Sequence, residues 1–242
     1  MNKTGTFYGI GVGPGDPELL TLKAIRIINS VDVVFAASSI KNTHSLAVDI
    51  ARPHMAHGAD IRMLSFQMSN DEAQKHLLWK ANVDLIAQEL LQGKDCVFLT
   101  LGDSQTYSTF GYLAKLMATY YPGVAVKSVP GITSYLAAAS AVNQPLVEGD
   151  ESLLITSGAR GGQELRKYGG ALENVVLLKT YRHVKDINDA LDEADLLESS
   201  VVVTRCSRRD EEVIPDVRGF ENRKPDYWSL IMAKRKKAQE PF

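Results

Sequence analysis

Three turns in this chain concentrate small and polar residues where a backbone or a hydroxyl could hold a ligand: GIGVGPGD at 9–16, TLGDSQTYST at 100–109 and SVPGITSY at 128–135. In the first, glycine falls at every second position between a β-rich run and a helical one, which lets the backbone come close to a neighbour. The spacing excludes a dinucleotide grip, which needs G-x-G-x-x-G and an acidic residue about 20 positions on to hold a ribose. Counted from Gly9 the sixth position is Pro14, and counted from Gly11 it is Asp16. Asp32 only opens the next apolar run, which ends in Ala36, Ala37 and Ser38. No Gly-Lys-Ser/Thr follows, so a Walker loop is excluded as well. In the second turn Gly102 permits close approach, Asp103 is an acceptor, and Ser104 and Thr106 are hydroxyls that can cap a helix or bind a ligand. The third repeats the theme, with Pro130-Gly131 turning the chain and Thr133-Ser134 at a helix start.

Other reactive residue types form no comparable group. His54 and His57 lie three apart in RPHMAHG without a carboxylate or cysteine partner nearby, and read as a polar loop rather than a metal site. Cys96 and Cys206 are far apart in strand-like stretches, against a disulfide framework or a zinc site. Trp79 and Trp228, flanked by apolar residues, read as core or interface residues.

The elements around these turns define the fold class. In the first half the strands are TFYGIGV, DVVFAA, IRMLSF, DCVFLT and VAVKSVP. Helical stretches lie between them: PELLTLKAIRIINS, a weaker SLAVDIA, DEAQKHLLWKANVDLIAQELLQG and TFGYLAKLMATYY. In the first helix Asp16 can cap, Pro17 suits the first position, and Leu22, Ile25 and Ile28 recur along one face. Strands buried on both faces and joined by helices imply a parallel α/β sheet. After a further helix, ITSYLAAASAVN, the second half runs SLLITS, NVVLLKT and SSVVVTRC between helices, then EEVIPDV and DYWSLIMAKRK with none between. That order predicts a mixed sheet ending in antiparallel strands. Two α/β domains follow, at 1–143 and 144–242. The three turns sit at the carboxyl ends of strands one, four and five, where open α/β sheets gather their chemistry, and should share one rim.

Bulk properties set the boundaries. A length of 242 residues suits two domains of about 120 residues. The net charge is −2, which gives no electrostatic footprint for nucleic acid or an anionic membrane. The basic AKRKKAQEPF terminus reads as a solvated tail. No apolar run reaches about 18 residues and the first residues carry no secretory signal, so a cytoplasmic protein is expected.

Taken together, the turns resemble the tetrapyrrole methylases. The similarity runs along nearly the whole chain: G-x-G-P-G-D-P-E-L-L-T at 11–21, L-G-D-x-x-x-Y-S-T at 101–109, P-G-I-T-S at 130–134, and Pro145 followed by EGDESLLI. Within the family, YSTFGYL, SVPGITSYLAAA and PLVEGDESL are most similar to the branch acting at C(20) of precorrin-2. Where the family usually carries Gly-Asp-Pro, this sequence has Gly102-Asp103-Ser104, which exchanges a stiff turn for a hydroxyl.

The resemblance implies S-adenosylmethionine as cofactor, folded into a cleft between two α/β domains, and a homodimer. It matches Leu101, Gly102, Asp103, Thr106 and Tyr107 to the cofactor loop and Thr133 and Ser134 to a second contact. More loosely, it matches Lys179, Cys206 and Ser229 to cofactor-lining strand ends. The substrate would be precorrin-2 or its cobalt-containing counterpart, cobalt-factor II. Its eight carboxylates call for backbone amides, offered by the loop Gly13, Pro14, Gly15 and Asp16, and for arginines, with Arg160, Arg182 and Arg208 as candidates. Another tetrapyrrole methylase, or a non-catalytic tetrapyrrole-binding module, is the alternative.

Overall fold

The computed structural model describes residues 3–38, 44–66 and 71–235. The chain divides into two units, Met1–Thr133 and Ser134–Phe242.

The first unit holds β1 (Thr6–Gly11), α1 (Leu22–Ile28), β2 (Val33–Ser38), α2 (Leu46–Ala51), β3 (Asp60–Ser65), α3 (Glu72–Leu91), β4 (Cys96–Thr100), α4 (Phe110–Tyr120) and β5 (Ala125–Val129). Its five strands form one parallel sheet in the order β3-β2-β4-β1-β5. Alternation along β1 sends Phe7 to one face, where it joins Phe35, Phe98 and the buried stripes of α3 and α4. Ile10 and Val12 go to the other face, against α1 and α2. Gly9 lies on the Phe7 face, and a Cβ there would enter the Phe110 ring, so the glycine makes room for α4.

The start of α1 differs from the sequence expectation. Asp16 accepts the Glu18 amide at 2.9 Å and caps a separate 3-10 turn, Pro17–Leu19. Thr21 then caps α1 itself, its Oγ1 accepting the Ala24 amide at 3.2 Å. This second cap shifts the helix face. Leu22 is 87% exposed, while Ala24 and Ile28 enter the core.

The second unit holds α5 (Ser134–Ala141), β6 (Leu153–Ser157), α6 (Gln163–Tyr168), β7 (Asn174–Leu178), α7 (Val184–Glu193), β8 (Ser200–Thr204), β9 (Glu212–Ile214) and β10 (Ser229–Lys234). The division falls before α5, which packs on β10, and not after it. The sheet order is β6-β7-β10-β8-β9: β6 and β7 are parallel, and the β7–β10, β10–β8 and β8–β9 pairs are antiparallel. Ile187, Ala190 and Leu191 of α7 are buried against it. Residues 236–242, most of the basic terminus, lie outside the described residues. No helix among the described residues is long and apolar enough to cross a membrane.

Candidate functional site

Because β1 pairs with β4 on one side and β5 on the other, the three glycine-containing turns are adjacent at one end of the first sheet. They are also locked to one another. Gly13 and Gly102 exchange backbone hydrogen bonds, the Gly13 amide donating to the Gly102 carbonyl at 3.1 Å and the Gly102 amide to the Gly13 carbonyl at 2.8 Å. Gly11 and Gly131 let the backbones touch. A Cβ on Gly11 would stand 2.5 Å from the Gly102 oxygen and 2.7 Å from the Gly131 nitrogen, and one on Gly131 would stand 2.6 Å from the Gly11 carbonyl.

Asp103 organises the second turn and joins it to the third. Its Oδ1 accepts the amides of Gln105 at 2.8 Å and Thr106 at 3.0 Å. Its Oδ2 accepts the amide of Gly131 at 3.0 Å. The neighbouring Ser104 is fully buried and donates its hydroxyl to the Val129 carbonyl at 3.0 Å. That bond ties the turn to the end of β5 and does by hydrogen bonding what a proline does by restricting φ. Ser108 completes the segment, its Oγ accepting the Phe110 amide at 3.1 Å at the start of α4.

The surface left by this framework is mostly backbone. Gly102 has φ +68°, and a Cβ there would meet nothing nearer than the Ile132 oxygen at 4.0 Å, so its face is open. Tyr107 also has positive φ, at 50°, and is 56% exposed, which is uncommon for a bulky side chain and marks a turn held by its surroundings. No lysine or arginine occurs in 100–109.

In the first turn, expected from the resemblance to face the substrate, the structure narrows the expectation. The Gly13 amide, expected to face a ligand, is taken by Gly102, and Pro14 has none. The amides of Gly15 and Asp16 remain without a partner among the described residues, while the Asp16 carboxylate is spent on Glu18. His54 likewise has a local task, its Nε2 lying 3.1 Å from the Pro17 carbonyl oxygen.

In the second unit, Lys179, Cys206 and Ser229 come to one end of the sheet, because β10 runs antiparallel between β7 and β8. Leu230 pairs with Leu178, and Ser229 with Thr204. Lys179 adopts φ 60°. Ser229 is 3% exposed and donates its hydroxyl to the Asp226 carbonyl at 2.8 Å. Cys206 is 5% exposed, and burial pushes its thiol up to about 12. It stays a neutral thiol and offers apolar surface, not a nucleophile. Arg160, Arg182 and Arg208 follow β6, β7 and β8 at this same end.

The comparisons with known proteins agree with this arrangement. Residues 6–219 match the Tetrapyrrole (Corrin/Porphyrin) Methylases. The chain belongs to the tetrapyrrole methylase family. It is 35% identical to a probable cobalt-precorrin-2 C(20)-methyltransferase of Methanocaldococcus jannaschii, over 97% of this chain and 99% of the relative. It is 29% identical to the cobalt-precorrin-2 C(20)-methyltransferase of Salmonella typhimurium, over 96% and 97%. It is 27% identical to a precorrin-2 C(20)-methyltransferase of a Sinorhizobium species, over 94% of each. Among solved structures, the fold is that of a cobalt precorrin-4 methyltransferase (TM-score 0.74, 23% identity, 95% and 94% covered). It is also that of the Thermus thermophilus uroporphyrin-III C-methyl transferase complexed with S-adenosyl homocysteine (TM-score 0.65, 24% identity, 95% and 97% covered).

For a methylase, the informative surprises are polar residues that sequence reasoning passed over. Thr180 is fully buried and its Oγ1 donates to the Ser229 hydroxyl at 3.1 Å, fixing two strand ends together. Arg205, in the left-handed region at φ 51°, pairs with Asp226 and with Asp210 at 3.1 Å, and its amide donates to the Trp228 carbonyl at 2.9 Å. It therefore ties the Cys206 loop to the segment before Ser229. The charged run RCSRRDEE was the only hint of this hub. Trp79 packs between Phe66 and Tyr112, at 6.2 and 4.6 Å between ring centroids, whereas Trp228 is 39% exposed and is not a core residue.

Proposed function

We propose that this chain is an S-adenosylmethionine-dependent C-methyltransferase that methylates C(20) of precorrin-2 or cobalt-factor II in cobalamin biosynthesis. The observation that carries the reading is the near end-to-end match to relatives named for C(20) methylation, at 35% identity for the first. The first unit supports it chemically. A turn with an open glycine face, no cationic side chain, and a carboxylate already engaged by three amides suits a sulfonium-bearing ligand. Leu101, Gly102, Asp103, Thr106 and Tyr107 would hold the cofactor, with Thr133, Ser134, Lys179, Cys206 and Ser229 as further contacts.

When bound, S-adenosylmethionine supplies an already activated methyl group. The protein then has to position the acceptor carbon in line at about 3–3.5 Å, and orientation provides most of the acceleration. A reduced tetrapyrrole is electron-rich at its bridging carbons, so no Ser-His-Asp or paired-carboxylate machinery is required. The turns meet this demand by rigidity: backbone contacts at Gly11 and Gly131, and the side-chain bonds of Asp103 and Ser104, leave the first rim little freedom.

Incubation with methyl-labelled S-adenosylmethionine and each tetrapyrrole tests the reading, with label expected at C(20). No label in either product overturns it, and label at another carbon assigns the chain to a different methylase. A cytoplasmic homodimer belongs to the same proposal. Leu77, Leu85 and Tyr112, exposed on α3 and α4, support it as surface for a second copy, and light scattering on the purified protein tests it.

A further inference from the structure

Beyond the cofactor-side strand ends, the second unit carries a cationic and aromatic surface that none of the hydrogen bonds or ion pairs described above explains. The loops after β6 and β7 are packed into one body. A Cβ on Gly158 would stand 3.0 Å from the Thr180 methyl, one on Gly161 would stand 3.4 Å from the His183 Cβ, and the Gly162 amide donates to Asp186 Oδ2 at 2.8 Å. Buried Thr180 pins that body to β10 through Ser229.

On this base stand two exposed guanidinium groups, Arg160 and Arg182, which form no ion pair among the described residues. Arg182 is held over the Tyr181 ring at 5.1 Å, a contact that orients the cation without neutralising it. The rings continue from Tyr181 to Tyr227 at 5.2 Å and from Tyr227 to Trp228 at 5.0 Å. Tyr227 is 51% exposed and Trp228 39%. Arg208, the third candidate of the sequence reading, differs, because Asp210 lies 3.4 Å from its guanidinium and offsets its charge.

We propose that Arg160 and Arg182, with the run Tyr181–Tyr227–Trp228, form a substrate shelf that binds the peripheral carboxylates and the apolar face of the tetrapyrrole. The inference rests on the tetrapyrrole reading above and deepens it. The occupant follows from complementarity. A macrocycle with carboxylates around its edge presents both an apolar face and several anions, whereas the cofactor offers a single carboxylate, beside its own ammonium and sulfonium charges, to two unpaired guanidinium groups. Each charge-assisted bond to a carboxylate is among the stronger polar contacts available to a protein.

The test uses the full chain and two variants, Arg160→Ala/Arg182→Ala and Tyr227→Ala/Trp228→Ala. Steady-state methylation of cobalt-factor II and precorrin-2 is combined with S-adenosylhomocysteine titration and light scattering. The arginine variant is expected to raise the KM for the tetrapyrrole about tenfold or more, with S-adenosylhomocysteine affinity unchanged. The salt dependence of that KM should flatten, since the screened charges are gone. The aromatic variant is expected to raise the same KM without altering the salt dependence. An unchanged tetrapyrrole KM, a loss of S-adenosylhomocysteine affinity, or a change of oligomeric state in either variant overturns the shelf. A wild-type chain that methylates neither tetrapyrrole overturns the underlying reading instead.

Discussion

Asp103 reaches from the turn after β4 to the turn after β5, where its carboxylate accepts the Gly131 amide at 3.0 Å while its other oxygen caps Gln105 and Thr106. Asp103→Ala would leave three amides without their acceptor. It is expected to lower unfolding stability by about 1–3 kcal/mol as well as weaken cofactor binding. Asp103→Asn, which keeps one acceptor oxygen, should fall between. Urea unfolding together with S-adenosylhomocysteine calorimetry checks both effects, and an Asp103→Ala protein of unchanged stability and affinity removes this role.

Ser104 stands where the family usually has proline, and its buried hydroxyl is bonded to the Val129 carbonyl. Ser104→Ala is expected to cost about 1 kcal/mol in urea unfolding. Its effect on cofactor affinity should be smaller than that of Asp103→Ala, because the turn keeps its carboxylate. A larger effect on binding than on stability would mean that the hydroxyl faces ligand and not β5.

Gly131 touches Gly11 and Gly102 backbone to backbone, and no side chain can yield to make room. Gly131→Ala is therefore expected to destabilise the first unit by about 3 kcal/mol or more. Gly123→Ala is the control: a Cβ there meets nothing within 4 Å, and a change within about 0.5 kcal/mol is expected. Thermal melts of the two variants, compared side by side, separate crowding from the general effect of replacing glycine.

Glu89 on α3 accepts Lys94 at 2.6 Å and Arg62 of β3 at 2.7 Å, with its side chain 13% exposed. Lys94, then Arg62, hold its carboxyl below the usual 4.5. The folded-state value lies below the unfolded one, so this stabilisation is complete above the unfolded value and is lost as pH falls through the folded one. Urea midpoints of the wild type should fall more steeply than those of Glu89→Gln between about pH 5 and about pH 3. Parallel curves would show that the pair adds nothing to the acid sensitivity.

Much of the fold was legible in the residue order. The β-rich runs, their helical spacers and the helix-free stretch before DYWSLIMAKRK determined a parallel sheet followed by a mixed one, because hydrophobic periodicity and strand-to-helix alternation are local properties. The three turns could be named as ligand-facing candidates for the same reason, and their family motifs stood in the chain as written. What the sequence could not determine was how each polar group in those turns is spent. Asp16 reads as the cap of the first helix, but the chain breaks for two residues between Leu19 and Leu22, so Asp16 caps only the 3-10 turn and Thr21 caps α1. The Gly13 amide was a plausible ligand donor until the neighbouring strands brought Gly102 to it. Arg160, Arg182 and Arg208 each follow a strand in sequence, and only the loop conformations show that Asp210 turns onto Arg208 while Tyr181 lies beneath Arg182. The physical reason is common to these cases. Backbone conformation follows from nearby side chains, but each polar group has several competent partners, and the folded loop selects among near neighbours such as Glu18 or Asp210 while strand pairing brings a distant one such as Gly102.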